Sequence, residues 1–161
     1  MKKTLLLFLL ISFTIVSLGQ KKPVEKLTTV GAHILIPTGN LSDTNPYGIG
    51  MSIETEIVGK NNTGLTFNTG YNYYRSDGES KPIIQFPALV GFKYHFGVMV
   101  AFGQQFGVSY VTQGYGMRFT YSTYLSFGWD KIYSDFRFIS STTPGHENDI
   151  SSLSLRFSYK L

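Results

Sequence analysis

Leu153-Ser154-Leu155-Arg156-Phe157-Ser158-Tyr159-Lys160-Leu161 places an apolar side chain at every second position and a polar one between. A period of two marks a strand with two unlike faces. The same alternation runs back from here to Thr28. It comes in segments of roughly ten residues, the length of a strand that crosses a bilayer at a tilt.

Eight such segments are predicted, at residues 28–37, 47–58, 65–75, 84–96, 98–111, 117–127, 132–139 and 151–161. In the first, Val30, Ala32, Ile34 and Ile36 share a face. In the second, Ile49, Met51, Ile53 and Ile57 oppose Gly48, Gly50, Ser52, Glu54 and Glu56. In the fourth, Phe86, Val90, Phe92 and Tyr94 oppose Gly91, Lys93 and His95. The links at 38–46, 76–82 and 140–149 are long and rich in Gly, Pro, Asn, Asp and Ser, and 111–116 is intermediate. Those at 59–64, 96–97 and 128–131 are short. Long and short links in alternation suit an up-and-down barrel with one rim in the periplasm and the other outside. An even strand count then puts both ends of the barrel chain on the short-turn rim.

Two residues disturb the pattern. Gln104 falls on the apolar face of the fifth segment, which predicts a bulge or register shift nearby. Pro87 lies within the fourth, and a closed barrel has no edge strand to hold it. It is expected above the ladder, at the outer rim or at a bulge.

Composition agrees with a lipid-facing surface. Charged residues make up 15% of the 161, against about 25% in an average soluble domain. Aromatics reach 16%, with 11 Tyr and 13 Phe. A sheet bathed in water needs charge on its wet face, and this chain has little. The formal net charge is +4, or +2 without Lys2 and Lys3. No basic run exceeds two residues, so nucleic acid is not a fitting partner. There are no cysteines, hence no disulfide framework and no lipidated cysteine. A barrel with every strand paired fixes the fold instead.

The N-terminus carries a targeting segment. Lys2-Lys3 precede an apolar run from Leu5 to Leu18, and Ser17-Leu18-Gly19 offers small residues for cleavage before Gln20. Residues 1–19 therefore read as a signal peptide and 20–161 as the barrel domain. A helical anchor is the alternative, but the run is short for a span.

Alternation alone does not say which face meets lipid. The polar face is crowded with Gly, Ser and Thr, which suit the narrow inside of an eight-stranded barrel. Tyr94, Phe96, Phe127, Trp129 and Tyr159 gather near the short-turn rim, and Tyr47, Tyr73, Tyr110, Phe119 and Tyr121 near the other. These are two candidate aromatic girdles.

Three further features carry a family resemblance. Pro37-Thr38-Gly39-Asn40-Leu41-Ser42 follows the first strand, Gly91-Phe92-Lys93-Tyr94 closes the fourth, and the last strand alternates to the C-terminus. Together they resemble the small eight-stranded outer-membrane β-barrel proteins of the OmpA/OmpX type, over nearly all of residues 20–161. The resemblance implies an all-β, antiparallel, up-and-down transmembrane barrel in the outer membrane of a Gram-negative bacterium. It implies outer-membrane lipids as partners, and recognition of the C-terminal strand, with Tyr159 and Leu161, by the barrel-insertion machinery. An envelope protein partner is left open.

The polar face places Glu54, Glu56 and Asp135 inside with Lys93, Arg118, Arg137, Arg156 and Lys160. Buried charges must pair or stay hydrated. They form either a plug that fixes register or a narrow gated ion path, and a barrel of this width is filled by its side chains. His33 and His95 have no metal-ligand spacing, and His146-Glu147 is an isolated pair in a loop, so no metal or other cofactor is expected. No G-x-S-x-G elbow occurs. His146 with Asp149 and Ser151 is the one loose catalytic constellation, so a non-enzymatic role is expected, structural or surface-binding through the outer loops. A lipocalin-like barrel with its apolar face turned inward is the remaining alternative.

Overall fold

The computed structural model describes residues 25–59, 61–77, 81–142 and 149–161. Eight strands follow in order: β1 (Glu25–Thr38), β2 (Gly48–Val58), β3 (Thr63–Tyr74), β4 (Ile83–Phe96), β5 (Val100–Val111), β6 (Gly116–Trp129), β7 (Ile132–Thr142) and β8 (Ile150–Lys160). A short 3-10 turn, Gly39–Asp43, follows β1. Each strand pairs antiparallel with its neighbour in sequence, and β1 pairs with β8 to close the barrel.

The register fixes the shape. From Thr28, partners run through Thr55, Phe67, Val90, Phe106, Tyr121, Ser140 and Ser151 back to β1 at Thr38, ten residues further along. For eight strands this stagger gives a tilt of about 40° and a backbone radius of about 8 Å. Strands of 11 to 14 residues so tilted rise roughly 28–35 Å. An outer-membrane apolar band is about 25 Å tall.

The two faces separate as the alternation predicts. Ile34, Met51, Phe92 and Phe157 point outward and are at least half exposed, whereas Ser52, Glu54, Thr66, Gln105 and Arg156 are buried in the interior. An apolar exterior around a polar interior suits hydrocarbon as the surrounding medium. It overturns the lipocalin-like alternative, which needs an apolar lumen at mid-height. The aromatics of both proposed girdles face outward, with Trp129, Phe96 and Tyr159 at the short-turn rim and Tyr47, Tyr110 and Phe119 at the other.

Several expectations need correction. β1 begins at Glu25, three residues before the predicted start at residue 28, and β7 runs on to Thr142 rather than ending at residue 139. The β4–β5 turn is Gly97–Met99, wider than the predicted two residues. Gln104 causes no bulge: β5 keeps one register along its whole length with both neighbours, and the side chain is half-buried on the outer face. Pro87 is neither at the rim nor at a bulge. It is the fifth residue of β4, buried and inward. The β3–β4 ladder is interrupted between Thr69↔Ala88 and Asn72↔Gln85, then resumes at the same offset. The missing proline N–H thus falls in a gap opposite Gly70, and Thr69 Oγ1 donates to Pro87 O at 3.0 Å.

Apart from Leu27 and Leu89, the large aliphatic side chains that turn inward gather at one level. Leu35, Tyr74, Ile83, Val111, Ile139 and Ile150 meet near the outer ends of their strands, and Leu41 of the 3-10 turn packs onto them. The link after that turn is tied down by Asn45, whose Nδ2 donates to Arg75 O at 2.8 Å. The outer mouth is thus capped by hydrocarbon.

Candidate functional site

Below the cap the interior is a single polar network. Glu54 on β2 is its hub. Arg137 Nη2 (β7) lies 2.6 Å from Glu54 Oε2. Asn68 Nδ2 (β3) and Gln105 Nε2 (β5) donate to the same oxygen at 3.1 and 3.2 Å. Tyr124 Oη (β6) donates to Oε1 at 3.3 Å, and Lys93 Nζ (β4) stands 3.7 Å from it.

Asp135 links this hub to the closing strands. Its Oδ2 accepts from Arg137 Nη2 at 2.8 Å and from Arg156 Nη1 (β8) at 2.9 Å. Arg156 then reaches Ser52 Oγ on β2 at 2.8 Å and Thr29 Oγ1 on β1 at 3.1 Å. All eight strands thereby contribute a side chain to one network. Every charge in it is nearly fully buried, and each has an ion pair and at least one further polar contact, which offsets its desolvation.

Nearer the short-turn rim, Glu56 meets Lys93 Nζ at 3.3 Å and His95 Nε2 at 2.5 Å. Lys93 also sits between the rings of Tyr124 and Tyr133, 5.9 and 5.8 Å from their centroids. Nearer the cap lies a layer of hydroxyl and amide side chains. Gln85 Nε2 donates to Ser141 Oγ at 2.6 Å, and Thr120 Oγ1 lies within 2.8 Å of both Ser109 and Ser141 hydroxyls.

Six of the eight predicted interior charges therefore meet: Glu54, Glu56, Lys93, Asp135, Arg137 and Arg156. The other two stand apart. Arg118 belongs to the outer layer, donating to Ser141 O at 3.4 Å with its guanidinium 4.8 Å from the Tyr115 ring. Lys160 is at the short-turn rim, 3.6 Å from an exposed Glu25, and water leaves such a pair little energy. The last residue of a tilted strand has simply passed out of the barrel.

The predicted network names charges alone, so the neutral members Tyr124, Gln105 and Asn68 are not in it. Strict parity finds them: 124 continues Arg118, Thr120 and Ser122, and 105 continues Ala101 and Gly103. Tyr124 hides because its ring reads as apolar. Its face carries the Arg137 guanidinium at 4.1 Å.

Outside the spanning strands, Arg75 Nη1 donates to Tyr47 Oη at 2.6 Å, and this bond holds the Arg75 pKa above its ordinary value. His146 and Glu147 lie outside the described residues, and so do residues 1–19.

No protein-family profile matches the chain, and no curated protein matches it by sequence. Solved structures do match its shape. The crystal structure of Ail, the attachment invasion locus protein of Yersinia pestis, superposes with a TM-score of 0.65 at 12% identity, over 87% of this chain and 100% of that one. The fold is that of the small eight-stranded outer-membrane β-barrels. Neisserial surface protein A gives 0.57 at 13% identity, over 87% and 100%. The outer membrane enzyme PagL gives 0.65 at 15%, over 81% and 98%. Among these barrels the fold does not decide between enzyme and non-enzyme.

Proposed function

We propose that this chain is an integral outer-membrane β-barrel of a Gram-negative bacterium, without catalytic activity, whose role is envelope-structural or surface-binding through its outer loops. In this reading residues 1–19 are cleaved as a signal peptide, lipids of the outer membrane surround the apolar belt, and the C-terminal strand engages the insertion machinery. The observation that carries it is the filled interior. An apolar cap lies over a network in which each acid meets two or more partners, so the six interior charges serve one another. That leaves the outer links, on a rigid scaffold, as the place for binding.

The two described histidines support the non-enzymatic reading. The ring of His33 bonds Asn72 and that of His95 bonds Glu56. A nucleophilic triad needs a hydroxyl on one side of the ring and a carboxylate on the other.

The test begins with expression in a Gram-negative host. The carbonate-washed outer membrane is run on a gel with and without boiling, and the purified barrel is reconstituted in planar bilayers. Retention in the membrane, a shift on boiling and no discrete conductance steps are the expected results. Conductance steps would instead establish the narrow channel. Loss from the washed membrane would remove the location.

A further inference from the structure

Three of the buried polar atoms that the charge network leaves over line one cavity. Between the apolar cap and the charged layer is a cavity of about 20 Å³, walled by Leu89, Ile139 and Pro87, by Arg137 and Arg156, and by imidazole, hydroxyl and amide side chains. Three buried side-chain atoms among its lining residues have no protein partner: His33 Nδ1, Ser122 Oγ and Ser154 Oγ. They come from β1, β6 and β8, and each residue is more than nine-tenths buried.

The hydrogen-bond chain behind His33 sets what its free nitrogen wants. Gln85 Nε2 donates to Ser141, so Gln85 Oε1 is left to accept from Asn72 Nδ2 at 3.0 Å. Asn72 therefore turns Oδ1 toward His33, 2.7 Å from Nε2. Nε2 carries the proton and Nδ1 is an acceptor. Gly50 permits this arrangement. It is the register partner of both His33 and Asn72, and a Cβ there would meet Asn72 Oδ1 at 2.7 Å.

We propose that the cavity is a binding site for one water molecule, which donates to His33 Nδ1 and bonds the Ser122 and Ser154 hydroxyls. The size suits that occupant: a cavity holds a water once it has room for about one probe sphere, and the water wants 2–4 polar partners. Here three are waiting. An anion is the competing occupant because two guanidiniums stand in the wall. Their charge is already taken up by Glu54 and Asp135, and an anion has no proton to give Nδ1. The water also sits beside Pro87, where the β3–β4 ladder is open, so it completes the interior hydrogen bonding at the level where the backbone does least.

A crystal structure of the full barrel near 1.5 Å, grown in bromide, tests the site. One peak is expected within hydrogen-bond distance of His33 Nδ1 and of at least one of the two serine hydroxyls, without anomalous bromide signal. In parallel, ¹⁵N spectra of the barrel in nanodiscs are expected to show His33 as the Nε2–H tautomer. No density in the cavity, a bromide peak there, or a proton on Nδ1 would each overturn the proposal.

Discussion

The ring of Tyr124 on β6 lies across Gly103, its register partner on β5. A glycine there leaves a slot in the inner wall, and the ring fills it, which delivers Tyr124 Oη to Glu54 and the ring face to Arg137. Any Cβ at 103 would overlap the ring. Gly103→Ala is expected to cost about 1–3 kcal/mol through overpacking, read as a lowered urea midpoint in micelles. The same change in a Tyr124→Ala background should cost much less. Equal costs in the two backgrounds would show that the ring is not what reserves the space.

Glu54 is the acid with the most partners. Removing it leaves Arg137 with Asp135 and Lys93 with Glu56 as their remaining carboxylates, one fewer each, in a desolvated interior. Glu54→Ala is expected to lower stability by about 3–5 kcal/mol, the range for breaking a buried pair from one side. Glu54→Gln, which keeps the hydrogen-bonding oxygen, should retain part of this. Equilibrium unfolding in liposomes checks both, and a wild-type midpoint for Glu54→Ala would mean the interior is hydrated rather than paired.

The faces of all eight strands, and six of the eight proposed interior charges, were legible because parity is a local property of the chain. Glu54 and Glu56 needed only their place between Ile53 and Ile57. What parity does not carry is height along the barrel. Lys160 and Arg156 share a face, yet one is at the rim and the other is buried in the network, because the stagger of the closed sheet sets their level. The cap was hidden for a related reason. In Ile34-Leu35-Ile36 three apolar residues run together, so the inward turn of Leu35 is masked by its neighbours. Pro87 was misplaced because a gap in one ladder, kept in register, has no signature in the sequence.

Leu41 is the part of the cap supplied from outside the strands. Leu41→Ala is expected to cost about 2 kcal/mol, the low end for a buried leucine because the mouth can relax. It should leave the bilayer conductance at baseline, since the charged layer closes the barrel beneath the cap. Thermal loss of the gel shift reports the stability. Discrete current steps from Leu41→Ala would mean that the cap, and not the network, is the seal.

Gln104 faces the lipid belt beside Thr123, its register partner, with Phe92 on its other side. An amide in hydrocarbon forfeits its hydrogen bonds to water, and the cost grows with depth. Gln104→Leu should therefore stabilise the barrel in liposomes by on the order of 1–2 kcal/mol, and by less in detergent micelles, whose hydrocarbon is thinner and more penetrated by water. The contrast between the two media isolates the cause, because a packing effect would be the same in both. If Gln104→Leu instead destabilises the barrel in lipid, the amide is satisfied there by a neighbour within the membrane, and Gln104 marks a contact surface rather than a tolerated defect.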